Sequence, residues 1–119
     1  MTINRPNHEE PPATCPECGG HRTVRILWGC ILPQDQQDIE AGRAVLASIF
    51  ESGEPAWGCL DCKPSWTEVN RLALQDYAWH LAKEKAVALA EFDRARELRD
   101  AQRELRPKLD ALLKELSGG

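Results

Sequence analysis

Very little in this 119-residue chain points to catalysis. Of its three histidines, His8, His21 and His80, none stands with a cysteine and an acid in an order that reads as a nucleophilic relay. No glycine-rich stretch has the spacing that cradles phosphates, which removes the P-loop and dinucleotide-binding classes. No apolar run approaches the roughly 18 residues that cross a bilayer. The start, Met1 to Pro12, is polar and proline-bearing rather than signal-like, so the expectation is a cytoplasmic chain with no membrane partner. Basic charge is also short. Residues 1–66 hold five basic and nine acidic side chains, and residues 67–119 hold ten of each. Phosphate neutralisation supplies most non-specific nucleic-acid affinity, so this balance disfavours nucleic acid as a partner. His21, Arg22, Arg25 and Trp28 are the one candidate basic and aromatic face, on a single strand.

What the chain does have is cysteine in a pattern. Cys15-Pro16-Glu17-Cys18 and Cys59-Leu60-Asp61-Cys62 are two C-x-x-C hooks with 40 residues between them. Two residues of spacing let both thiolates of a tight turn reach one ion, and four thiolates close a tetrahedral sphere with no position left for substrate or water. Cys15, Cys18, Cys59 and Cys62 are therefore the expected metal ligands, with one structural Zn2+ as cofactor and iron as the alternative. A thioredoxin-type use of Cys15 and Cys18 would need a strand before the hook and a helix after it. Here the hook follows a polar tail and has a matching second hook. Cys30 leaves an odd count, which argues against a disulfide framework and leaves it as a free thiol. A ribbon of about 55 residues is near the size where an apolar core alone is marginal, and a metal makes up that deficit.

The expected fold class is α+β: a flexible tail over 1–12, a small N-terminal zinc ribbon over 13–66, and a C-terminal α-helical hairpin over 67–119. The ribbon is expected to combine two knuckles, short strands and one inserted helix. Arg22 to Leu32 is β-branched and apolar and reads as a strand bounded by Pro33, with Gly29 marking a bulge. Gln34 to Phe50 places Ile39, Ala44 or Val45, Leu46, Ile49 and Phe50 at helical spacing, with Asp35 and Asp38 near the start where the helix dipole favours acids. That predicts a helix ended by Gly53 and Pro55. Ala56 to Cys59 returns as a strand or turn into the second hook. Trp57 and Trp66 flank this hook and are expected to pack over the metal, with ligand stacking as the alternative.

From Thr67 the pattern changes to that of helices. Leu72, Leu74, Tyr77, Ala78, Leu81, Ala82, Ala86 and Leu89 form one stripe, with Thr67 or Asn70 as the expected cap. Ala95, Leu98, Gln102, Leu105, Leu109, Leu112 and Leu116 form a second, with spacings of three and four. Pro107 is expected to kink the second helix or to start a new one. Two stripes of similar length predict a hairpin turning near Ala90 to Phe92, one continuous helix being the alternative. Self-pairing into a four-helix homodimer is a further expectation. The ribbon and the hairpin are expected to behave as separate modules.

Two stretches resemble known families. CPECG (Cys15 to Gly19) and PAWGCLDCKPSW (Pro55 to Trp66), with the strand between them that ends in Gly29 and Pro33, are similar to a bacterial zinc-ribbon family of uncharacterised small proteins. The resemblance spans roughly residues 13–66 and implies zinc and a ribbon fold, but no activity. Glu91-Phe92-Asp93-Arg94-Ala95-Arg96-Glu97-Leu98-Arg99-Asp100, preceded by Lys83-Glu84-Lys85-Ala86-Val87, resembles the UVR domain of bacterial excision-repair nuclease subunits, a chaperone and an arginine-kinase activator. That resemblance implies a helical hairpin that binds a protein. It implies Phe92 in the turn packed between the helices, Ala95 at their close approach, and Arg99 with Asp100 at the exposed edge; Phe92, Arg96, Arg99 and Asp100 are the expected partner contacts. The functional expectation is a non-enzymatic zinc-binding adaptor with a chaperone, kinase or repair nuclease as partner. The alternative is a nucleic-acid- or ribosome-associated zinc-ribbon protein.

Overall fold

The elements follow in the order β1 (Thr23–Trp28), α1 (Pro33–Glu40), β2 (Ala44–Ser48), β3 (Trp57–Cys59), α2 (Ser65–Ala88) and α3 (Phe92–Ser117). The computed structural model describes residues 11–29, 31–50 and 55–117. The expectations for the tail up to residue 10, including His8, for Cys30 and for Gly53 as a helix end fall outside the described residues. The class is mixed α+β, a three-stranded sheet with three helices, of which the last two form a hairpin.

The strand sequence TVRILW forms β1, and four of its six residues are buried. It is the central strand, in the order β2-β1-β3, parallel to β2 and antiparallel to β3. The β1–β2 register slips between Leu27 and Trp28, just before Gly29. Pro33, expected to close the strand, occupies the first turn of α1 instead, where its missing N–H costs nothing. Leu32 N–H donates to Asp35 Oδ2 at 2.9 Å and so satisfies one donor at that terminus.

The expected helix from Gln34 to Phe50 is corrected: it ends at Glu40, and its second half is β2. Gly42, at φ +80°, takes the left-handed position after the helix. Its N–H donates to Ile39 O at 3.1 Å and Arg43 N–H donates to Asp38 O at 2.8 Å, the paired bonds of a Schellman stop. Beyond it, Ala44–Ser48 is buried at every position, so it shows no alternation. A short, wholly buried run fits strand or helix equally by spacing.

Asp38 also anchors side chains. Arg25 donates to Asp38 Oδ2, and Arg43 Nη2 lies 2.9 Å from Asp38 Oδ1. The Arg43 guanidinium, with Arg25 beside it, holds the Asp38 carboxyl below the usual carboxylate range against the opposing effect of burial. A depressed folded pKa stabilises above the unfolded value of about 3.9, and that contribution is lost as pH falls through the folded value. Thermal unfolding of Asp38→Asn is accordingly expected to lose less stability between neutral and strongly acidic pH than the parent. Identical acid limbs would remove the effect.

The helix α2 begins at Ser65 after Pro64, with no side-chain cap, so neither Thr67 nor Asn70 serves as one. Asn70 Oδ1 instead accepts the N–H of Leu46 at 2.8 Å and so covers a donor of edge strand β2. α2 ends at Ala88 in a second Schellman stop. Ala90 N–H donates to Val87 O at 3.0 Å and Glu91 N–H donates to Ala86 O at 2.8 Å. Here the left-handed residue is Ala90, at φ 59°. A side chain in that conformation costs on the order of 1–2 kcal/mol that glycine does not. Ala90→Gly is therefore expected to stabilise the chain by about 1 kcal/mol, read as a rise in denaturation midpoint at unchanged slope. A fall would mean that the turn does not hold this conformation in solution.

The second stripe is the inner face of α3: Ala95, Gln102, Leu105, Leu109 and Leu116 are buried. Pro107 lies inside α3, which runs without a break to Ser117 and does not restart there. One apolar cluster joins Val24, Ile26 and Leu27 of β1 and Val45 and Leu46 of β2 to Trp66, Val69 and Ala73 of α2 and Leu105 and Leu109 of α3. The expectation that sheet and hairpin share little surface is thus corrected. The sheet and the hairpin bury apolar faces on each other, as packed layers around one core do.

Candidate metal centre

The pairing of β1 with β3 assembles the hooks. Thr23 opposes Cys59 and the strands run antiparallel, so the start of β1 and the end of β3 lie at the same end of the sheet. Cys15-x-x-Cys18 leads into the first and Cys59-x-x-Cys62 leaves the second. Each hook is closed by the same backbone bond, Gly19 N–H to Cys15 O at 2.8 Å and Lys63 N–H to Cys59 O at 3.0 Å. Asp61 of the second hook lies 3.6 Å from Arg22 Nη1, four residues past the first hook.

Four sulfurs converge there. Cys15 Sγ is 3.7 Å from Cys62 Sγ, and Cys18 Sγ is 3.6 Å from Cys59 Sγ. All four ligand atoms lie within 4.8 Å of one another. Metal–sulfur bonds of about 2.3 Å set the corners of a tetrahedron about 3.8 Å apart. These two pairs match that edge, so the four cysteines are close enough to bind one metal ion. The spacing of the hooks made this cluster legible in the sequence.

No family model, curated protein or solved structure matches the chain. The metal reading rests on the sulfur geometry.

The sulfurs are not equivalent. Backbone amides of Cys18 and Glu17 pull the Cys15 thiol down to about 7, against the effect of burial. Desolvation within the cluster, reinforced by the other three sulfurs, pushes Cys62 up to about 12. Cys18 accepts the Gly20 N–H at 3.4 Å, which lowers it, but desolvation and the neighbouring Cys59 and Cys15 thiols outweigh this and raise it. Without an ion, the cluster holds a thiolate at Cys15 most readily and keeps protons at Cys18 and Cys62. An ion displaces those protons, because thiolates are its ligands.

Trp66, expected over the metal, belongs to the shared core at 2% exposure. A Cβ on Gly58, one residue before Cys59, would lie 2.5 Å from Trp66 Nε1, so the indole lies flush on the strand that carries the third ligand. Trp57 is half-buried on β3.

The other candidate residues fall into two groups. The basic and aromatic face does not form: Arg25 is engaged by Asp35 and Asp38, Trp28 is buried and donates its indole N–H to Pro55 O at 3.0 Å, and Arg22 faces Asp61. At the hairpin tip, Arg96, Arg99 and Asp100 are exposed as expected. Phe92 is in the turn but is 60% exposed, which corrects its expected packing between the helices. The close approach belongs to Ala95, at 9% exposure, and Phe92 opens α3 one turn too early to reach the inner face.

One cluster escaped the sequence. Buried Gln102 donates to Asp76 Oδ1 at 2.8 Å and accepts from Lys83 Nζ at 2.9 Å, while Arg106 Nε lies 3.4 Å from Asp76 Oδ2. This network spans α2 and α3 and fixes their register, because any slip would leave buried polar atoms unpaired. Its signal was a polar residue on each apolar stripe: Asp76 four residues after Leu72, and Gln102 in line with Leu98 and Leu105.

Proposed function

We propose that the chain is a non-enzymatic, zinc-stabilised adaptor that engages a protein partner through the α2–α3 hairpin. Four thiolates close the coordination sphere of an ion, so the ion's role is structural, and a tetrahedral all-sulfur set suits zinc. The observation that carries the reading is the hairpin tip. Val87, Leu89 and Phe92 stand 52%, 58% and 60% exposed on a hairpin whose opposite end is buried against the sheet. Large apolar side chains grouped on one end of a monomer mark an interaction surface more often than single scattered ones do. The UVR resemblance of the same stretch points to the same kind of use, with a chaperone, kinase or repair nuclease as partner. The nucleic-acid reading loses its main support once Arg25 and Trp28 are engaged within the fold.

Two measurements test this. Elemental analysis of the purified protein is expected to find one zinc per chain, and iron would appear as visible charge-transfer absorption. Affinity capture from a nuclease-treated bacterial lysate is expected to retain a specific protein, and to lose it on Val87→Asp with Phe92→Asp. Capture that depends on intact nucleic acid would favour the other reading.

A further inference from the structure

The tip is a groove as well as an apolar patch. A cavity of about 430 Å³ opens between the last turns of α2 and the first turns of α3. Val87, Phe92 and Ala95 form its apolar wall, and Arg96 and Arg99 stand along one rim. Arg96 is 3.9 Å from Asp93 and Arg99 is 3.7 Å from Asp100, with all four side chains more than half exposed. Exposed pairs of this kind contribute little, so both guanidiniums are available to a stronger acceptor. Lys83 turns inward to Gln102 and does not compete for that role.

We propose that this groove takes an acidic amphipathic segment of a partner protein, with its aliphatic or aromatic side chains against Val87 and Phe92 and its carboxylates on Arg96 and Arg99. The inference rests on the adaptor reading and specifies the chemistry of the partner. A guanidinium fork offers two parallel donors to a carboxylate, so two arginines one helical turn apart select acids spaced by a turn. Helix-in-groove docking supplies the apolar half of the recognition. A nucleic-acid backbone fits less well, because its continuous phosphates offer nothing to the apolar wall of Val87, Phe92 and Ala95. A second copy fits less well too, since a twofold contact centred on the groove sets the arginines of one copy against those of the other.

Selection of a displayed library of random dodecapeptides on the full-length, metal-loaded protein tests the assignment. Selected peptides are expected to be enriched in Asp and Glu interleaved with Leu, Ile or Phe. A synthetic representative should weaken at least about tenfold with Arg96→Glu plus Arg99→Glu, and should weaken as salt rises from about 50 to about 500 mM. Arg94→Glu, an equal charge change on an exposed residue outside the groove, should leave it unchanged. No enrichment, enrichment of basic or uncharged peptides, or equal binding by the double variant would overturn the proposal. So would tighter binding of an oligothymidylate probe at the same residues, or a dimer in sedimentation that the double variant abolishes. If the partner captured from lysate is lost on Val87→Asp with Phe92→Asp but kept by the arginine double variant, the adaptor reading stands and the acidic-segment assignment fails.

Discussion

Replacing Cys59 by serine is expected to abolish metal binding and to unfold sheet and helices in one transition. The hydroxyl is a hard, weakly acidic donor where the site requires a thiolate, and among the described residues no fifth cysteine joins the cluster to replace it. In small zinc modules the apparent binding energy of about 10–16 kcal/mol is folding energy, and a domain of ordinary stability holds only about 5–15 kcal/mol in all. Cys59 is also the β3 residue opposite Thr23, and Leu60 N–H donates to Arg22 O at 2.9 Å, so losing the hook frees the β1–β3 pair. Since Val24 and Ile26 share one cluster with Val69 and Leu109, the helices lose the surface that covers them. Chelator titration followed by far-ultraviolet circular dichroism checks this. Full helical signal persisting after metal loss would show that the hairpin stands without the sheet.

This outcome differs from what the sequence alone implies, and the difference has a physical origin. The hooks, β1, the return strand and both long helical stripes are legible because each is a local pattern: a fixed spacing, a β-branched run, a period of three and four. Which apolar faces meet is not local. Trp66 reads as a cover for the second hook because it lies four residues beyond Cys62; it does lie against Gly58 beside Cys59, but it also belongs to the core that sheet and hairpin share, which no local pattern announces. The strand β2 was hidden for the opposite reason. Its five residues are all buried, and Ile39 and Phe50 on either side happen to continue a helical spacing. Gly42 was the available signal, since glycine after a short acidic helix marks its stop. For Phe92, position in the turn was legible, but whether a turn residue faces in or out depends on the rotation at which α3 starts.

The second large effect is expected at the contact between Gly58 and Trp66. Trp66→Ala should cost about 3–5 kcal/mol, as removal of a buried aromatic does. Gly58→Ala should cost about 1–3 kcal/mol, because a Cβ 2.5 Å from Trp66 Nε1 cannot be accommodated unless a rigid, enclosed ring moves. The decisive quantity is their coupling. With the indole gone, the methyl of Gly58→Ala enters vacated space, so the double variant should be about as stable as Trp66→Ala alone or slightly more so. Urea denaturation of the metal-loaded single and double variants measures it. Additive costs would place the strain of Gly58→Ala in the β3 backbone instead of against the ring. Metal content should stay at one ion per chain in Trp66→Ala if the ring supports the strand and not the ligands themselves.

One contact sets the reach of the molecule. Lys63 Nζ, just past the second hook, donates to Leu116 O at 3.3 Å, so the hairpin leaves the metal end with α2 and comes back to it with α3. The 24 residues of α2, at about 1.5 Å each, carry Val87 and Phe92 some 35 Å away. A body held at the tip therefore leaves the sulfur cluster uncovered, and oxidants or competing chelators would reach the thiolates equally well in the free and the assembled protein. Assembly would stabilise the chain without shielding the sulfur cluster, and alkylation of the exposed Cys18 and Cys62 by a route that needs no unfolding would not report whether a partner is bound.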